Sequence, residues 1–408
     1  MTEASQDSCR VLILTADAGM GHRSAAEAIQ AAIAELYPNC IAEIVNPLDD
    51  ERVPGVLRER QTSYDDMVRS SRELYELGYR AADTEAVGVA LDGALVLMLF
   101  RVLKDLIEAL QSDVVISTYP LYQAAMDAVR QVEEASWPIL NVVTDLATVN
   151  RLWFSKASDL VLVPNETVKE RALEYDVAEE RIRVTGLPVD PEFSKDLGEL
   201  RKLREELGWD PDRVTLLVVG SKRVLHLPEI LEVVDHSGHP LQLILLSGGD
   251  EELRDEFEKR SWHLPVHIYG FVDEMPKFMQ ASDIVMSKAG GLIVSESLAC
   301  GRPLLLVDVL PGQEVGNAEI VVNAGAGELA EEPVEVLKTL CHWLEDDRAL
   351  LSERSINAKE LGRPRAAYNV AELARDVARQ GPPVPRTNDH ALRDNLLQFL
   401  DERGILSD

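Results

Sequence analysis

Short apolar runs alternate with amphipathic stretches along most of the chain. Residues 11–14, 41–45, 114–117, 139–144 and 160–164 form a first series of strand-like runs, and 214–219, 241–247, 266–269, 284–286 and 303–307 form a second. Between them, 24–37 and 121–134 carry apolar positions at helical spacing. Near-continuous apolar strands separated by helices predict parallel sheets covered on both faces. The stretch "VTGLPVDPEF" at 184–193 interrupts the pattern with two prolines and a glycine, and the domain junction is placed there, ahead of a polar helix over 197–207. Near the end, "GPPVPR" at 381–386 breaks the helical pattern before an amphipathic segment over 390–403. Side-by-side parallel sheets bind ligands in the crevice beyond the strands' carboxyl ends.

A chain of 408 residues exceeds what one core usually organises, so two domains are expected. The longest unbroken apolar run, 94–100, is far too short to span a bilayer. It lies in a segment over 87–110 that reads as a helix apolar on most of its circumference. Such a helix packs in a core or rests on a membrane surface. Acidic residues number 71 against 41 lysines and arginines, a net charge of −30 that repels phosphate backbones and excludes nucleic acid as an expected partner. The polar start "MTEASQDSCR" lacks the features of a secretory signal, so the expected location is cytoplasmic. Cys9, Cys40, Cys300 and Cys341 show no metal spacing and are expected to be unpaired thiols. The eight histidines are dispersed, and no metal site is expected. The "DPD" at 210–212 has a metal-binding spacing known from another fold, but here it reads as a turn.

Two loops carry the candidate chemistry. In "TADAGMGHRSAAEAI", Gly19 and Gly21 permit a tight turn after a strand, and His22 stands at a helix start where a neutral imidazole can take a hydroxyl proton. In "MSKAGGLIVSESLACGRPLLLVDVLPGQEVGNAEIVVN", Gly290 and Gly291 open a helix after a strand, Glu296 lies between Ser295 and Ser297, and Gln313, Glu314 and Asn317 follow the next strand. Backbone amides suit a diphosphate, and clustered side-chain acceptors and donors suit a polyol.

The ordered motifs "DAGMGHRSAAEAI", "VTDL", "TGLPVDPEF", "GFVDEMPKFMQASDIVMSKAGGLIVSESLACGRP" and "LPGQEVGN" resemble those of the monogalactosyldiacylglycerol synthases and processive diacylglycerol glucosyltransferases. More distantly they are similar to the peptidoglycan enzyme that adds N-acetylglucosamine to a lipid-linked precursor. The resemblance covers about residues 10–365 and implies the α/β GT-B fold, with two Rossmann-like domains whose parallel sheets face a central crevice. It assigns 1–190 to an acceptor-binding domain and 191–365 to a UDP-sugar-binding domain, and the remaining 366–408 are expected to form a helical tail that packs back on the N-terminal domain. The resemblance implies inverting transfer of a hexose from a UDP-sugar without a flavin or nicotinamide. Together with the apolar helix over 87–110, it leads to the expectation of a lipid hydroxyl as acceptor at the inner membrane face, with no cofactor. His22 then resembles the general base. Phe271 and Val272 border the uracil, Glu296 grips the ribose, Gln313 and Glu314 read the sugar, and Gly290 and Gly291 lie under the diphosphate.

Other candidate positions surround these. Asp145 in "VTDL" is placed to orient a base, bind the acceptor or cap a helix. In the loop after 214–219, Gly220 is followed by Lys222 and Arg223 where relatives have a glycine-rich turn, so side-chain charge is expected to hold phosphate. Arg23, Arg151 and Lys288 occupy further loop starts. Tyr119 and Asn150 stand on the acceptor side where the family commonly has histidine. These two departures, with the altered loop, support the alternative of a sugar-nucleotide or lipid binding protein without turnover. A soluble acceptor is the other alternative. A 2-epimerase on the same architecture would need catalytic carboxylates and histidine at positions that show no counterpart.

Overall fold

A computed structural model of the chain describes residues 8–55, 57–58, 85–155, 158–220, 224, 226–312, 314–384 and 390–406. The chain divides into two compact units, Met1–Pro191 together with Arg365–Asp408, and Glu192–Pro364.

The first unit is built on a six-stranded parallel sheet: β1 Arg10–Leu14, β2 Ile41–Val45, β3 Val114–Ser117, β4 Ile139–Val142, β5 Leu160–Val163 and β6 Ile182–Val184. Their order is β2-β1-β3-β4-β5-β6. Runs such as VVIS in β3 and LVLV in β5 are buried at every position. Alternate residues feed two cores: Leu12, Leu14 and Val115 face one, and Val11, Ile13, Val114 and Ile116 face the other. The helix Ala366–Gln380 closes the second core through Ala367, Val370, Ala371 and Ala374.

The apolar helix Glu85–Leu110 belongs to the first core, where Leu95, Val96, Leu99, Phe100, Leu103 and Ile107 are buried. Leu396, Leu397, Phe399 and Leu400 of the final helix His390–Asp401 join the same core, and Arg101 donates to the carbonyls of Gly404 and Ile405 at 3.1 and 2.7 Å. The core-packing reading of this helix is therefore borne out for these residues, while Leu97, Met98, Leu106 and Leu110 are only partly buried. Among the described residues, no helix is long and apolar enough to cross a membrane.

The expectation of four unpaired cysteines is also corrected. Cys9 and Cys40 form a disulfide, with Cα atoms 4.5 Å apart. They are 31 residues apart in sequence, but they immediately precede β1 and β2, whose parallel register pairs Arg10 with Ile41. That register brings the two sulfurs together. Cys300 and Cys341 are free.

The second unit repeats the architecture with β7 Val214–Val219, β8 Leu241–Leu246, β9 Val266–Tyr269, β10 Ile284–Lys288, β11 Leu304–Asp308 and β12 Gly327–Leu329, in the order β12-β11-β10-β7-β8-β9. Helices Leu227–Asp235 and Pro333–Leu344 cover one face through Ile230, Leu231, Val234, Val336 and Leu340. The "DPD" forms the expected turn: Asp210 accepts the Asp212 amide at 2.9 Å.

In each sheet the chain reverses its direction of winding once. The reversal falls between β1 and β3 in the first and between β7 and β10 in the second. Helices on either side of such a point diverge and leave a crevice at the strands' carboxyl ends, so the loops after β1, β3, β7 and β10 are where each unit can receive a ligand.

Candidate active site

The first-unit site grows from the β1 loop. Gly19 has φ 77°, a conformation that favours glycine, and it turns the chain into the helix Met20–Leu36. That helix begins four residues earlier than its apolar spacing suggests, which places His22 in its first turn. Thr118, directly after β3, ties the two strand ends together: its Oγ1 lies 3.0 Å from Thr15 Oγ1 and donates to the His22 carbonyl at 3.1 Å. Tyr122 donates to the Thr15 carbonyl at 2.9 Å. Arg23 makes a two-point contact with Asp17 at 2.8 and 3.0 Å, and Asn46 donates to Asp17 and Asp49 at 3.2 and 2.9 Å. Arg23 thus serves the architecture of the loop.

The imidazole of His22 is set among aromatic rings. Tyr119 meets it edge-on with centroids 5.0 Å apart, and Trp153 lies 5.9 Å away. Nδ1 of His22 is 2.6 Å from Oγ1 of Thr144. Burial lowers the imidazole pKa to about 4, against a smaller opposing contribution from the Thr118 contact, so the ring is neutral at physiological pH. In the tautomer whose Nδ1–H donates to Thr144, Nε2 carries the lone pair that can take a hydroxyl proton. Thr144 is the residue that the sequence did not single out, although it stands beside Asp145 in "VTDL". Asp145 itself accepts from Trp153 Nε1 at 2.7 Å and so fixes a ring that borders the histidine. Asn150 caps the short helix Arg151–Trp153 by accepting the Leu152 amide at 3.0 Å, and Arg151 approaches Asp92 at 3.8 Å. Both hold the Trp153 turn. Thr144→Val is expected to lower turnover about threefold to tenfold, the worth of one hydrogen bond, while Thr144→Ser retains activity. Rates at saturating donor check this.

The second-unit site grows from the β10 loop. Gly290 caps the helix Gly291–Ala299, and a Cβ there would come within 3.1 Å of Lys288 Nζ and 3.7 Å of Glu314 Oε1. The amides that open this helix are groups of the kind that can hold an anion. Lys288, at the end of β10, pairs closely with the buried carboxylate of Glu314, whose other oxygen accepts the Leu310 amide at 3.1 Å. Glu314 thus ties the β10 and β11 loops together. Asn317 is buried, donates to the Ala289 carbonyl at 2.9 Å, and keeps its Oδ1 without a partner among the described residues. Glu296 is half-buried in the second helical turn. Phe271, after the edge strand β9, is 70% exposed beside Val272, an apolar face available to a base.

Gly220 has a packing reason of its own: a Cβ would come within 2.8 Å of the Leu246 carbonyl and 2.9 Å of Leu253. Gly21, by contrast, would meet nothing within 4 Å. Lys222, Arg223 and Gln313 lie outside the described residues.

Two parallel-sheet units, each with one winding-reversal site, are the architecture of the GT-B fold class. MurG of Acinetobacter baumannii superposes with a TM-score of 0.57 at 15% identity, covering 90% of this chain and 99% of that one. A putative UDP-N-acetylglucosamine 2-epimerase from Listeria monocytogenes gives 0.58 at 16% identity, covering 93% and 100%. Both likenesses concern the fold. At the level of sequence, residues 22–189 match the monogalactosyldiacylglycerol synthase model and 215–369 the glycosyltransferase family 28 C-terminal domain. A probable monogalactosyldiacylglycerol synthase 2 of Oryza sativa subsp. indica is 30% identical over 386 residues, covering 92% of this chain and 82% of that protein. Monogalactosyldiacylglycerol synthase 3 of Arabidopsis thaliana is 29% identical over 389 residues, covering 93% and 83%. The chain belongs to the monogalactosyldiacylglycerol synthase family.

Proposed function

We propose that the protein is an inverting hexosyltransferase that moves a hexose from a UDP-sugar to the free hydroxyl of a diacylglycerol-like lipid, in peripheral contact with the inner membrane face. The observation that carries this reading is the neutral imidazole of His22, held at Nδ1 by Thr144 in a helix start that follows β1. A neutral hydroxyl nucleophile needs a base, and a base whose proton affinity is depressed stays unprotonated throughout the physiological range. Relatives named for galactolipid synthesis supply the lipid acceptor and the hexose.

On the donor side, the leaving diphosphate gains charge as the glycosidic bond breaks. The Gly290–Gly291 amides stabilise that charge without rearrangement. Glu296 holds the ribose diol, Phe271 and Val272 border the uracil, and Asn317 offers its unpartnered oxygen. Gln313, Lys222 and Arg223 keep their sequence-based assignments to sugar and phosphate. Direct attack by the acceptor oxygen on the face opposite the diphosphate inverts the anomeric carbon, so no covalent nucleophile takes part.

The test begins with calorimetry of UDP, UDP-glucose, UDP-galactose and UDP-N-acetylglucosamine against the parent and Glu296→Ala. Losing two charge-assisted hydrogen bonds is expected to weaken binding about tenfold to a hundredfold. The preferred donor is then offered with diacylglycerol in mixed micelles and with soluble acceptors. Product on the lipid supports the proposal, product only on a soluble acceptor overturns its acceptor half, and selective donor binding without product on any acceptor marks a binding protein.

A further inference from the structure

A second cluster of chemically capable side chains lies in the unit Glu192–Pro364. The helix Leu227–Asp235 runs back from β7 towards the start of β8 and ends at the sheet's amino-terminal edge, opposite the loops after β7 and β10. His236 caps that helix, and His263 comes to the same edge just ahead of β9. Their rings stand 4.3 Å apart between centroids. Asp235 completes the group: its Oδ2 lies 3.1 Å from His263 Nδ1 and 3.9 Å from His236 Nδ1. The three residues can each offer one ligand atom, all within 4.8 Å of one another.

The carboxylate is fully buried, and its Oδ1 accepts the amides of His263 and Leu264, each at 2.9 Å. It is therefore fixed before any ion arrives. Both imidazoles are more than half exposed, so they can turn to draw their nitrogens to the separation of about 3.4 Å that a tetrahedral ion with bonds near 2.1 Å requires. The Glu232 carbonyl lies 3.0 Å from His236 Nδ1, and a ring held there by Nδ1–H presents Nε2 to an ion. The last carbonyls of the helix add a negative field. Arg260 is the cation nearest in sequence to His263, and its guanidinium is matched by Glu232 at 3.5 Å.

We propose that Asp235, His236 and His263 bind one divalent transition-metal ion, with water completing its shell. Two imidazoles and a carboxylate are borderline donors that favour zinc over magnesium or calcium. Held there, the ion joins the end of the helix Leu227–Asp235 to the start of β9. Because β9 pairs only with β8 at the sheet edge and leads into Phe271, the ion braces a strand that has one neighbour.

The experiment titrates Zn2+ by calorimetry, and Co2+ by visible absorption, into the full metal-free chain without an affinity tag. One ion per chain is expected, with a higher thermal midpoint when zinc is present. His236→Ala and His263→Ala, both at exposed positions, are each expected to weaken binding at least about tenfold. Circular dichroism confirms that the variants fold. His239 lies 3.2 Å from Cys341 and offers a rival pair of ligands, so His239→Ala serves as the control and is expected to leave binding unchanged. Absence of stoichiometric binding overturns the proposal. So does binding that survives the double replacement of His236 and His263.

Discussion

Replacing His22 by alanine is expected to lower turnover by about two to four orders of magnitude, the contribution of a positioned general base, while leaving the affinity for UDP unchanged. The separation follows from the structure, because His22 and the glycine-led helix start belong to different compact units. Steady-state rates with calorimetry on the same preparations check both halves. A variant that loses UDP binding as well would show that His22 supports the fold of its loop and would remove the base assignment.

The parent's pH profile tests the same assignment. Burial holds the imidazole near 4, below its ordinary 6.5, so the acid limb of turnover at saturating substrate is expected near pH 4. Between these two values the unfolded chain binds a proton that the folded chain does not. Stability contributed by this site therefore falls as pH drops through that window and is level above it. In His22→Gln that contribution disappears. An acid limb in the parent near 6.5 would mean that the ring is solvated and that its Thr144 contact does not set its protonation.

The second large effect concerns Glu314. Its carboxylate is buried and bridges Lys288 and the Leu310 amide, so Glu314→Ala removes one ion pair and one charge-assisted backbone contact together. Breaking a buried pair from one side leaves the other charge and the amide poorly compensated, at a cost of about 2 to 4 kcal/mol. A matching fall in the urea stability of the unit Glu192–Pro364 is expected. Donor affinity should fall with it, because the same pair fixes Lys288 below the Gly290 turn. Glu314→Gln keeps an acceptor for the amide and should lose less. An unchanged urea midpoint in Glu314→Ala would show that the carboxylate is as well accommodated by water as by its partners.

Four strands were legible in the sequence almost to the residue, the buried β3 and β7 and the less buried β2 and β9. Ile41–Val45, Val114–Ser117, Val214–Val219 and Val266–Tyr269 coincide with β2, β3, β7 and β9. Continuous apolar sequence is what burial on two faces demands, and glycine, proline or polar residues mark the ends. The strands β6 and β12 were not legible. Each has three residues, and Arg183 in β6 and Gly327 and Glu328 in β12 leave no apolar run to mark them. Helix starts were less legible than strands, because the first turn of Met20–Leu36 is set by the turn at Gly19 rather than by apolar spacing.

Sequence by itself determined the family, the parallel-sheet architecture and the identity of the candidate loops, because these depend on local pattern and on motifs of consecutive residues. Tertiary structure alone decided which residues meet across those loops. Thr144 reaches His22 over 122 positions, Cys9 finds Cys40 through the register of β1 and β2, and Lys288 finds Glu314 across β10 and β11. It also decided that the helix Glu85–Leu110 packs into the first core against the helix Gln123–Val132. In each case the partner comes from another segment, and only the order and register of the strands fix which side chains face one another. A linear pattern records the preference of each residue for burial or exposure; the partner that satisfies it is chosen when the sheet closes.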